Sequence, residues 1–390
     1  MKTLGSLMKN NVRQYGMILA LVFIVILFQI LTDGVLLKPI NITNLILQNS
    51  YILVLAIGML LVILLGHIDL SVGSVVAFTG AMSAIFMVEM NLPVWLSIVL
   101  CLLIGALIGA WQGFWVAYLK VPAFIVTLAG MLVFRGLTLW VLGGQSIAPF
   151  PEEFRKISTG FLPELSKTAS LDLLTLIVGV IVSLVLIWTE VRKRNQQKSY
   201  HFEVLPTWLF ALKLVFIVAV LNVFSYFLAS YEGIPNILVI LVVLIVAYSF
   251  FTNRTVSGRH LYAVGGNEKA AKLSGIKTQK LTFWVFVNMG VLAALSGLIF
   301  AARLNAATPG AGNSFELDAI AAVFIGGASA YGGIGTIIGA VVGGLVMGVL
   351  NNGMSLIGLG TDYQQTIKGI VLLLAVGFDV YNKNKTSKLD

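Results

Sequence analysis

The chain alternates long apolar runs with short polar connections along its whole length. Several runs extend for roughly 18 to 22 residues almost without an ionisable side chain, the length that a helix needs to cross about 30 Å of hydrocarbon. The short alternating segments typical of a membrane β-barrel do not occur in the sequence. The pattern therefore predicts an all-α polytopic membrane protein.

Charges, prolines and glycines divide the apolar sequence into runs, so we expect about twelve transmembrane helices in a single domain, 1–390. The tenth run is short and rich in glycine, so a broken or re-entrant helix is an alternative there and the count is between ten and twelve. The runs lie near 15–32, 46–65, 71–90, 94–118, 123–143, 170–189, 208–230, 235–251, 281–302, 317–332, 334–352 and 363–381.

The distribution of Lys and Arg predicts the orientation. Most of the 25 basic residues fall in connections on the same side as the two termini, and such residues are enriched in cytoplasmic loops. Both termini are therefore predicted to be cytoplasmic. Only 11% of residues are charged, too few for a soluble protein of this length. Basic loops beside anionic lipid headgroups explain the formal net charge of +9, so we expect membrane lipid and no nucleic acid as a partner.

The connection 252–280 is placed in the cytoplasm by the same rule and contains a helix-forming stretch, Asn267 to Leu273. The Asn267 side chain can accept a free backbone N–H of the first helical turn. Gly275 suits the position that follows the last turn. The loop is therefore expected to present a short capped helix.

Polar residues inside the apolar runs are candidates for function. Asp69 precedes the third span, with Ser71 at its start, and can either cap that helix or hold a cytoplasmic gate or contact a partner subunit. Arg135 lies about twelve residues into its span, where a charge must face protein or a water-filled cavity. We expect Arg135 to line a translocation path or to pair with an acid, either Glu316 or Asp318.

Glycines recur at four-residue spacing in two of the runs. Small faces let helices approach closely in lipid, so we interpret both stripes as helix-packing surfaces in preference to the alternative of a substrate site or a hinge. They comprise Gly105, Gly109 and Gly113, then Gly335, Gly339 and Gly343.

Catalytic motifs are missing from the sequence. The three histidines, His67, His201 and His260, are far apart and lack metal-ligand spacing. No GxxxxGK[ST] phosphate loop occurs, so the chain is not expected to hydrolyse ATP or to bind a cofactor directly.

Five segments, in order, resemble the signature segments of the permease subunits of ribose/xylose-type bacterial ABC sugar importers, and the resemblance runs nearly end to end. In the ribose branch the fifth span is followed directly by the segment equivalent to Pro235 onward, whereas here about seventy residues intervene, including an inserted helix pair at 170–230. The chain is therefore more similar to the xylose or multiple-sugar branch. His67 stands where the family usually has a small residue. The segments are GHIDLSVGS (66–74), VPAFIVTLAGM (121–131), GRHLYAVGGNEKAAKLSGI (258–276), ELDAIAAVFIGGAS (316–329) and NNGMSLIG (351–358).

The resemblance implies a multi-pass permease of the bacterial plasma membrane that translocates a monosaccharide, such as a xylose-like pentose or related aldose. It implies a permease homodimer, a cytoplasmic ABC ATPase that holds ATP and Mg²⁺, and a periplasmic or lipid-anchored sugar-binding protein. The loop 252–280 resembles the coupling helix that such permeases seat in the ATPase. The residues implied for ATPase coupling are Gly266, Glu268, Ala270, Ala271 and Gly275, and those expected in the path or gate are Asp69, Ser71, Arg135, Glu316, Asp318, Asn351 and Asn352.

An ion-coupled secondary sugar transporter is the alternative, with a channel less favoured. A secondary transporter needs intramembrane acids for protons or unwound helices for sodium. Apart from Arg135 and the Glu316 and Asp318 pair, the predicted spans offer few such groups.

Overall fold

A computed structural model describes residues 12–164, 171–202 and 204–386. In these ranges the chain forms fifteen α-helices and one π-helical turn, and extended pairing is limited to isolated bridges. Ser170, where the predicted inserted pair begins, lies outside the described residues. The helices are α1 Val12–Leu31, α2 Pro39–Leu64, α3 Val72–Ala84, α4 Val94–Ala117, α5 Ala123–Leu142, α6 Glu152–Thr159, α7 Leu173–Ser199, α8 Thr207–Ala229, α9 Asn236–Arg254, α10 Val256–Gly266, α11 Glu268–Leu273, α12 Thr278–Leu304, α13 Phe315–Ile325, α14 Ile337–Leu356 and α15 Thr361–Thr386, with the π-helical turn Ile85–Glu89 continuing α3.

Nine helices of the described chain are long and apolar enough to cross a membrane. They are α2, α3 with its π-helical continuation, α4, α5, α7, α8, α9, α12 and α14. The apolar part of α1, Gly16–Leu31, falls short of this length. The polytopic all-α class is thus confirmed, whereas the count of twelve and the side of the termini stay predictions.

The tenth predicted span is broken. Helix α13 ends at Ile325, and residues 326–336 are largely non-helical before α14 begins at Ile337. Gly327 adopts φ +83° and Gly332 adopts φ +83°, a left-handed backbone that glycine reaches without steric cost. The helical part is therefore only Phe315–Ile325. The alternative of a broken helix is confirmed, and residues 317–332 do not form one continuous helix.

Helices α2 and α12 form the centre of the bundle. In the most apolar stretch of α2, 83% of residues are buried, and the corresponding share for α12 is 72%. Helix α12 packs along α4, α2 and α3, and α14 packs on α13 and α2. The outward faces of the surrounding helices carry exposed Leu, Val, Ile and Phe side chains, as expected for helices that face lipid.

The first glycine stripe, and Gly339 and Gly343 of the second, lie at close helix contacts, as predicted, whereas Gly335 precedes α14 in the non-helical segment and adopts φ +155°. A Cβ atom placed on Gly105 would lie 2.4 Å from the Gly290 carbonyl oxygen, and one on Gly109 would lie 2.3 Å from that of Phe286. In the second stripe, a Cβ on Gly343 would lie 1.9 Å from the Ala322 oxygen. The backbones of α4 and α12, and of α13 and α14, therefore approach so closely that only glycine fits.

Helices α7 and α8 form a peripheral pair. They pack on each other where Gly179 meets Ser225, and Asn222 Nδ2 donates to Ser183 Oγ at 2.9 Å. Only 17% of the apolar stretch of α7 and 6% of that of α8 are buried. The pair contributes little to the central core.

Candidate functional site

The loop between α2 and α3 brings a carboxylate into the protein interior. Asp69 Oδ1 accepts hydrogen bonds from the Ser71 backbone N–H at 2.8 Å and from Ser71 Oγ at 2.6 Å. Gln112 of α4 donates from Nε2 to the same Ser71 hydroxyl at 2.7 Å. All three side chains are buried. Asp69 thus holds the residue that precedes α3, and Gln112 is a polar partner that the sequence did not reveal.

The Asp69 carboxyl is unusually easy to protonate. Burial raises its pKa to about 6, while the hydrogen bonds from Ser71 act in the opposite direction. Desolvation dominates because a buried carboxylate loses its hydration.

The same loop turns at Gly66, with φ +76°, so His67 itself needs no left-handed backbone.

The N-terminus of α3 meets the N-terminus of α13. A Cβ on Gly73 would lie 2.3 Å from the Gly312 carbonyl oxygen and 2.4 Å from Glu316 Oε2. Each helix N-terminus carries partial positive charge, which favours the Glu316 carboxylate between them. Interrupted helices whose ends converge inside the bundle form the solute sites of many transporters.

Arg135 faces this junction from α5. Its Nη1 donates to the carbonyl oxygens of Ala311 at 2.6 Å and Pro309 at 3.3 Å, in the segment that leads into α13. A cavity of about 330 Å³ lies beside it, lined by residues of α3, α5, the junction and α15. Its polar lining comprises Ser74, Arg135, Asn313, Ser314, Glu316 and Gln365.

The predicted pairing of Arg135 with an acid takes a different form in the structure. Arg135 and Glu316 line the same cavity, yet among the described residues no ion pair within 4.0 Å joins them, and backbone carbonyls hold the guanidinium instead. Asp318 is excluded as the direct partner because its Oδ2 lies 3.0 Å from Lys368 Nζ. The spacing of residues along the chain could not distinguish these partners.

Asp318 and Lys368 form a buried connection between α13 and α15. Asn351 of α14 also approaches Asp318 Oδ2, with Nδ2 at 3.4 Å. Asp318 Oδ1 and Asn351 Oδ1 are buried and have no hydrogen-bond partner within the described part of the protein. Lys368 is a residue of this cluster that the sequence interpretation left without a role.

Asn352 lies next to Asn351 in sequence but in a different environment. It exchanges two hydrogen bonds with Asn41 of α2: Asn41 Nδ2 donates to its Oδ1 at 2.9 Å, and its own Nδ2 donates to Asn41 Oδ1 at 3.1 Å. Both side chains are buried. In the structure Asn352 joins α2 to α14, apart from the polar junction.

The short helix α11 has the predicted caps. Asn267 Oδ1 accepts from the Ala270 N–H at 3.0 Å. At the other end Gly275 adopts φ +87°, while the Gly275 N–H bonds the Lys272 carbonyl and the Ile276 N–H bonds the Ala271 carbonyl. This pair of bonds is the Schellman motif, which satisfies the last free carbonyls of a helix.

The faces of α11 differ from the sequence interpretation at one position. Gly266, Glu268, Ala270 and Gly275 are exposed, but Ala271 is buried against the protein core and does not belong to an outward docking face. Leu273 is 90% exposed and is the apolar side chain that α11 presents. Because Leu273 is the only leucine in the stretch EKAAKLSG, the sequence could have indicated this exposed contact.

Helix α10, which precedes α11, and the end of α2 contact the non-helical segment 326–336 that follows α13. The Leu64 carbonyl at the end of α2 accepts from the Gly333 N–H at 2.9 Å. A Cβ on Gly265 would lie 1.8 Å from that Leu64 oxygen and 2.6 Å from the Gly333 nitrogen. Tyr262 Oη donates to the Gly335 carbonyl at 2.8 Å. The glycine pairs Gly265/Gly266 and Gly332/Gly333 therefore allow close packing between α10 and the 326–336 segment.

No group of three or more metal-binding side chains occurs in the described ranges. The sites that the structure assembles in these ranges are polar clusters between helices and an exposed capped helix.

Comparison with known proteins identifies the family. Residues 41–376 match the family described as branched-chain amino acid transport system / permease component. The chain is 40% identical over 375 residues to the xylose transport system permease protein XylH of Haemophilus influenzae, covering 96% of this chain and 98% of that protein. It is 38% identical over 383 residues to XylH of Escherichia coli K12, covering 98% and 95%.

A relative with a different named sugar also matches. The ribose import permease protein RbsC of Haemophilus influenzae is 36% identical over 341 residues, covering 87% of this chain and 85% of that protein. No solved structure gives a significant match. The long similarity, the apolar helices and the interior polar junction together mean that this chain belongs to the transport-system permease-component family and is a multi-pass membrane permease of the xylose/ribose type, not an enzyme.

Proposed function

We propose that this chain forms the membrane pathway of an ABC importer for a pentose, with xylose as the first candidate. The observation that carries the proposal is the similarity to xylose permeases over 96% to 98% of the chain. A separate ATPase holds ATP and Mg²⁺, and an external binding protein delivers the sugar. The permease works as a homodimer.

The polar junction between α3, α5 and α13 supports a hydroxyl-rich cargo. Buried polar atoms normally have a hydrogen-bond partner, so those that lack one inside a cavity suggest a place for water or solute. Ser74 Oγ is buried without a partner among the described residues and belongs to a cavity-lining side chain. Together with Arg135 and Glu316 it offers the donors and acceptors that sugar hydroxyls need.

The twelve-pass topology remains our proposal for the whole chain. The nine long apolar helices are joined by α1, by α15 and by a pass made of α13 with the non-helical segment 326–336. Both termini are then cytoplasmic, as the basic connections favour. Cysteine labels at Lys272 and Lys156, in a chain without Cys101, should react from opposite sides of the membrane. Labelling from one side only contradicts this topology.

Helix α11 is proposed as the contact with the ATPase. Its exposed Leu273 and Glu268 offer an apolar and a charged contact. The close backbone packing of Gly265 on Leu64 and Gly333 links the neighbouring α10 to the segment that follows α13. A displacement of α11 can thereby reach the polar junction through packed backbone.

Transport by the reconstituted system tests the function. Purified permease, its ATPase and its binding protein are placed in proteoliposomes that contain ATP, and uptake of labelled xylose is followed with ribose and leucine as competitors. We expect ATP-dependent xylose uptake that persists when ionophores dissipate ion gradients. The control lacks only ATP.

Two outcomes would contradict the proposal. Xylose uptake that needs an ion gradient and no ATP would indicate the alternative of a secondary transporter. Accumulation of leucine in place of pentose would indicate an amino-acid cargo.

A further inference from the structure

A large groove opens at the end of the bundle that carries α11. Its volume is about 730 Å³, and it lies between α9, α10 and α12 with Leu61 of α2 at its back. It is separate from the cavity beside Arg135, since the two share no lining residue. We call it the basic groove.

The basic groove is polar and cationic at one end and apolar farther in. Lys277, just before α12, and Lys280, in its first turn, are exposed, and His260 of α10 belongs to the same lining. The rest of the lining is mainly apolar, with Leu61, Ala247, Phe251, Leu281 and Val285, and it includes the polar side chains of Tyr248 and Asn288. Such a gradient fits a ligand with an anionic head and a hydrocarbon body.

The depth of the basic groove along α12 supports the same ligand. From Lys280 to Asn288 the helix advances by about 12 Å, at 1.5 Å per residue. Trp284 lies between them and is 55% exposed, and indole rings are enriched where headgroups meet acyl chains. Tyr248 donates a hydrogen bond to Asn288 Oδ1, while Asn288 Nδ2 is buried without a hydrogen-bond partner among the described residues.

We propose that the basic groove binds one anionic phospholipid from the cytoplasmic leaflet. The phosphate contacts Lys277, Lys280 and His260, and the hydrocarbon body lies along the mainly apolar lining between α9 and α12. Basic pockets between membrane helices on the cytoplasmic side are typical binding places for anionic headgroups. The leaflet follows from the proposed orientation, whereas the binding itself does not depend on transport.

Other occupants fit the basic groove less well. A second copy seated here would have to remove Lys277 and Lys280, which are exposed in this structure, from water. A soluble ATPase contacts the exposed end only and leaves the apolar inner part empty. A free phosphate uses the lysines but not the apolar walls.

The position of the site gives the lipid a consequence for coupling. Gly275, Ile276 and Lys277 line the basic groove and connect α11 directly to α12. A lipid bound there holds the C-terminal side of α11 against the bundle, so the anionic lipid content of the membrane should influence how firmly α11 is held.

The experiment measures lipid retention by the purified full chain in detergent with native mass spectrometry. The protein is titrated with phosphatidylglycerol or with phosphatidylcholine, and bound lipid is counted for the wild type, Lys277→Gln/Lys280→Gln and Ala247→Trp. The matched control, Lys193→Gln/Lys198→Gln, removes two exposed lysines at the end of α7, outside the groove. Gel filtration and thermal unfolding verify that every variant is folded.

We expect the wild type and the control to retain one phosphatidylglycerol in preference to phosphatidylcholine. Each basic side chain contributes about fivefold to association with anionic lipid, so the double lysine variant should bind about thirtyfold more weakly. Ala247→Trp fills the apolar part and should also lose the lipid while both lysines remain. Equal binding of the two lipids, or unchanged binding in both groove variants, overturns the proposal. Displacement of the lipid by millimolar inorganic phosphate overturns it too, because the headgroup alone would then suffice.

Discussion

The Nζ atom of Lys368 lies 3.0 Å from Oδ2 of Asp318, in a pair whose side chains are 17% and 2% exposed. These residues are fifty positions apart in sequence and join α15 to the broken helix α13. The ion pair holds α13 itself, and Arg135 holds the segment that leads into α13 through its hydrogen bonds to the carbonyl oxygens of Pro309 and Ala311.

Removal of Lys368 alone should destabilise the protein. Lys368→Met leaves the Asp318 carboxylate buried without its cation, at a cost on the order of 3 kcal/mol. The double variant Lys368→Met/Asp318→Asn should recover most of the loss. Thermal unfolding in detergent measures both. Lys213→Met is the control, because its pair with Glu190 is more exposed and should contribute less than about 1 kcal/mol.

Arg135→Met should reduce transport and loosen the segment 305–314. The variant removes two hydrogen bonds to backbone carbonyls and leaves Glu316 in the shared cavity without a nearby cation. Adding Glu316→Gln should restore part of the thermal stability, whereas adding Asp318→Asn should not, since Asp318 pairs with Lys368. Xylose uptake and unfolding temperature are measured for all three. Normal uptake by Arg135→Met would show that this residue has no part in the path.

Gly109→Ala should disturb the contact between α4 and α12. The added methyl group would lie 2.3 Å from the Phe286 carbonyl oxygen, and overpacking of this kind costs roughly 1 to 3 kcal/mol. Gly136→Ala on α5 is the matched control, because no atom lies within 4 Å of its added Cβ and alanine favours the helix. Comparable unfolding temperatures for the two variants would contradict close packing at Gly109.

Asp69 should make stability depend on pH. Its pKa in the folded state, about 6, lies above the usual value near 3.8, so the folded protein binds more protons than the unfolded chain between these values. Stability from this group therefore decreases as the pH rises from about 4 to above 6. The unfolding temperature of the wild type should fall relative to Asp69→Asn over this range. A constant difference between the two proteins contradicts the raised pKa.

Leu273→Asp should weaken assembly with the ATPase without affecting the fold. Leu273 is 90% exposed, so a charge there costs the isolated permease little but disfavours an apolar contact. Phe202→Asp, at an exposed loop position between α7 and α8, is the control. Co-purification of the ATPase and thermal unfolding are measured together.

Ala271→Trp should lower the unfolding temperature itself, because Ala271 is buried.

The sequence by itself determined the membrane class, the positions of most helices, the caps of α11 and most of the two glycine packing stripes. These features are local: they depend on apolar length, on helix-capping residues and on small side chains at fixed spacing. The resemblance of five segments also indicated the permease family. Asn267, Gly275 and Gly109 could each be interpreted from their neighbours in sequence.

Only the tertiary structure decided which distant groups meet. It assigned Lys368 to Asp318, gave Arg135 two backbone carbonyls, turned Ala271 inward, and closed a basic groove between α9, α10 and α12. Partners separated by many residues are set by how helices rotate and cross when their surfaces pack, and several rotations bury a similar apolar area. An apolar pattern that surrounds a membrane helix on all sides does not specify which face turns inward.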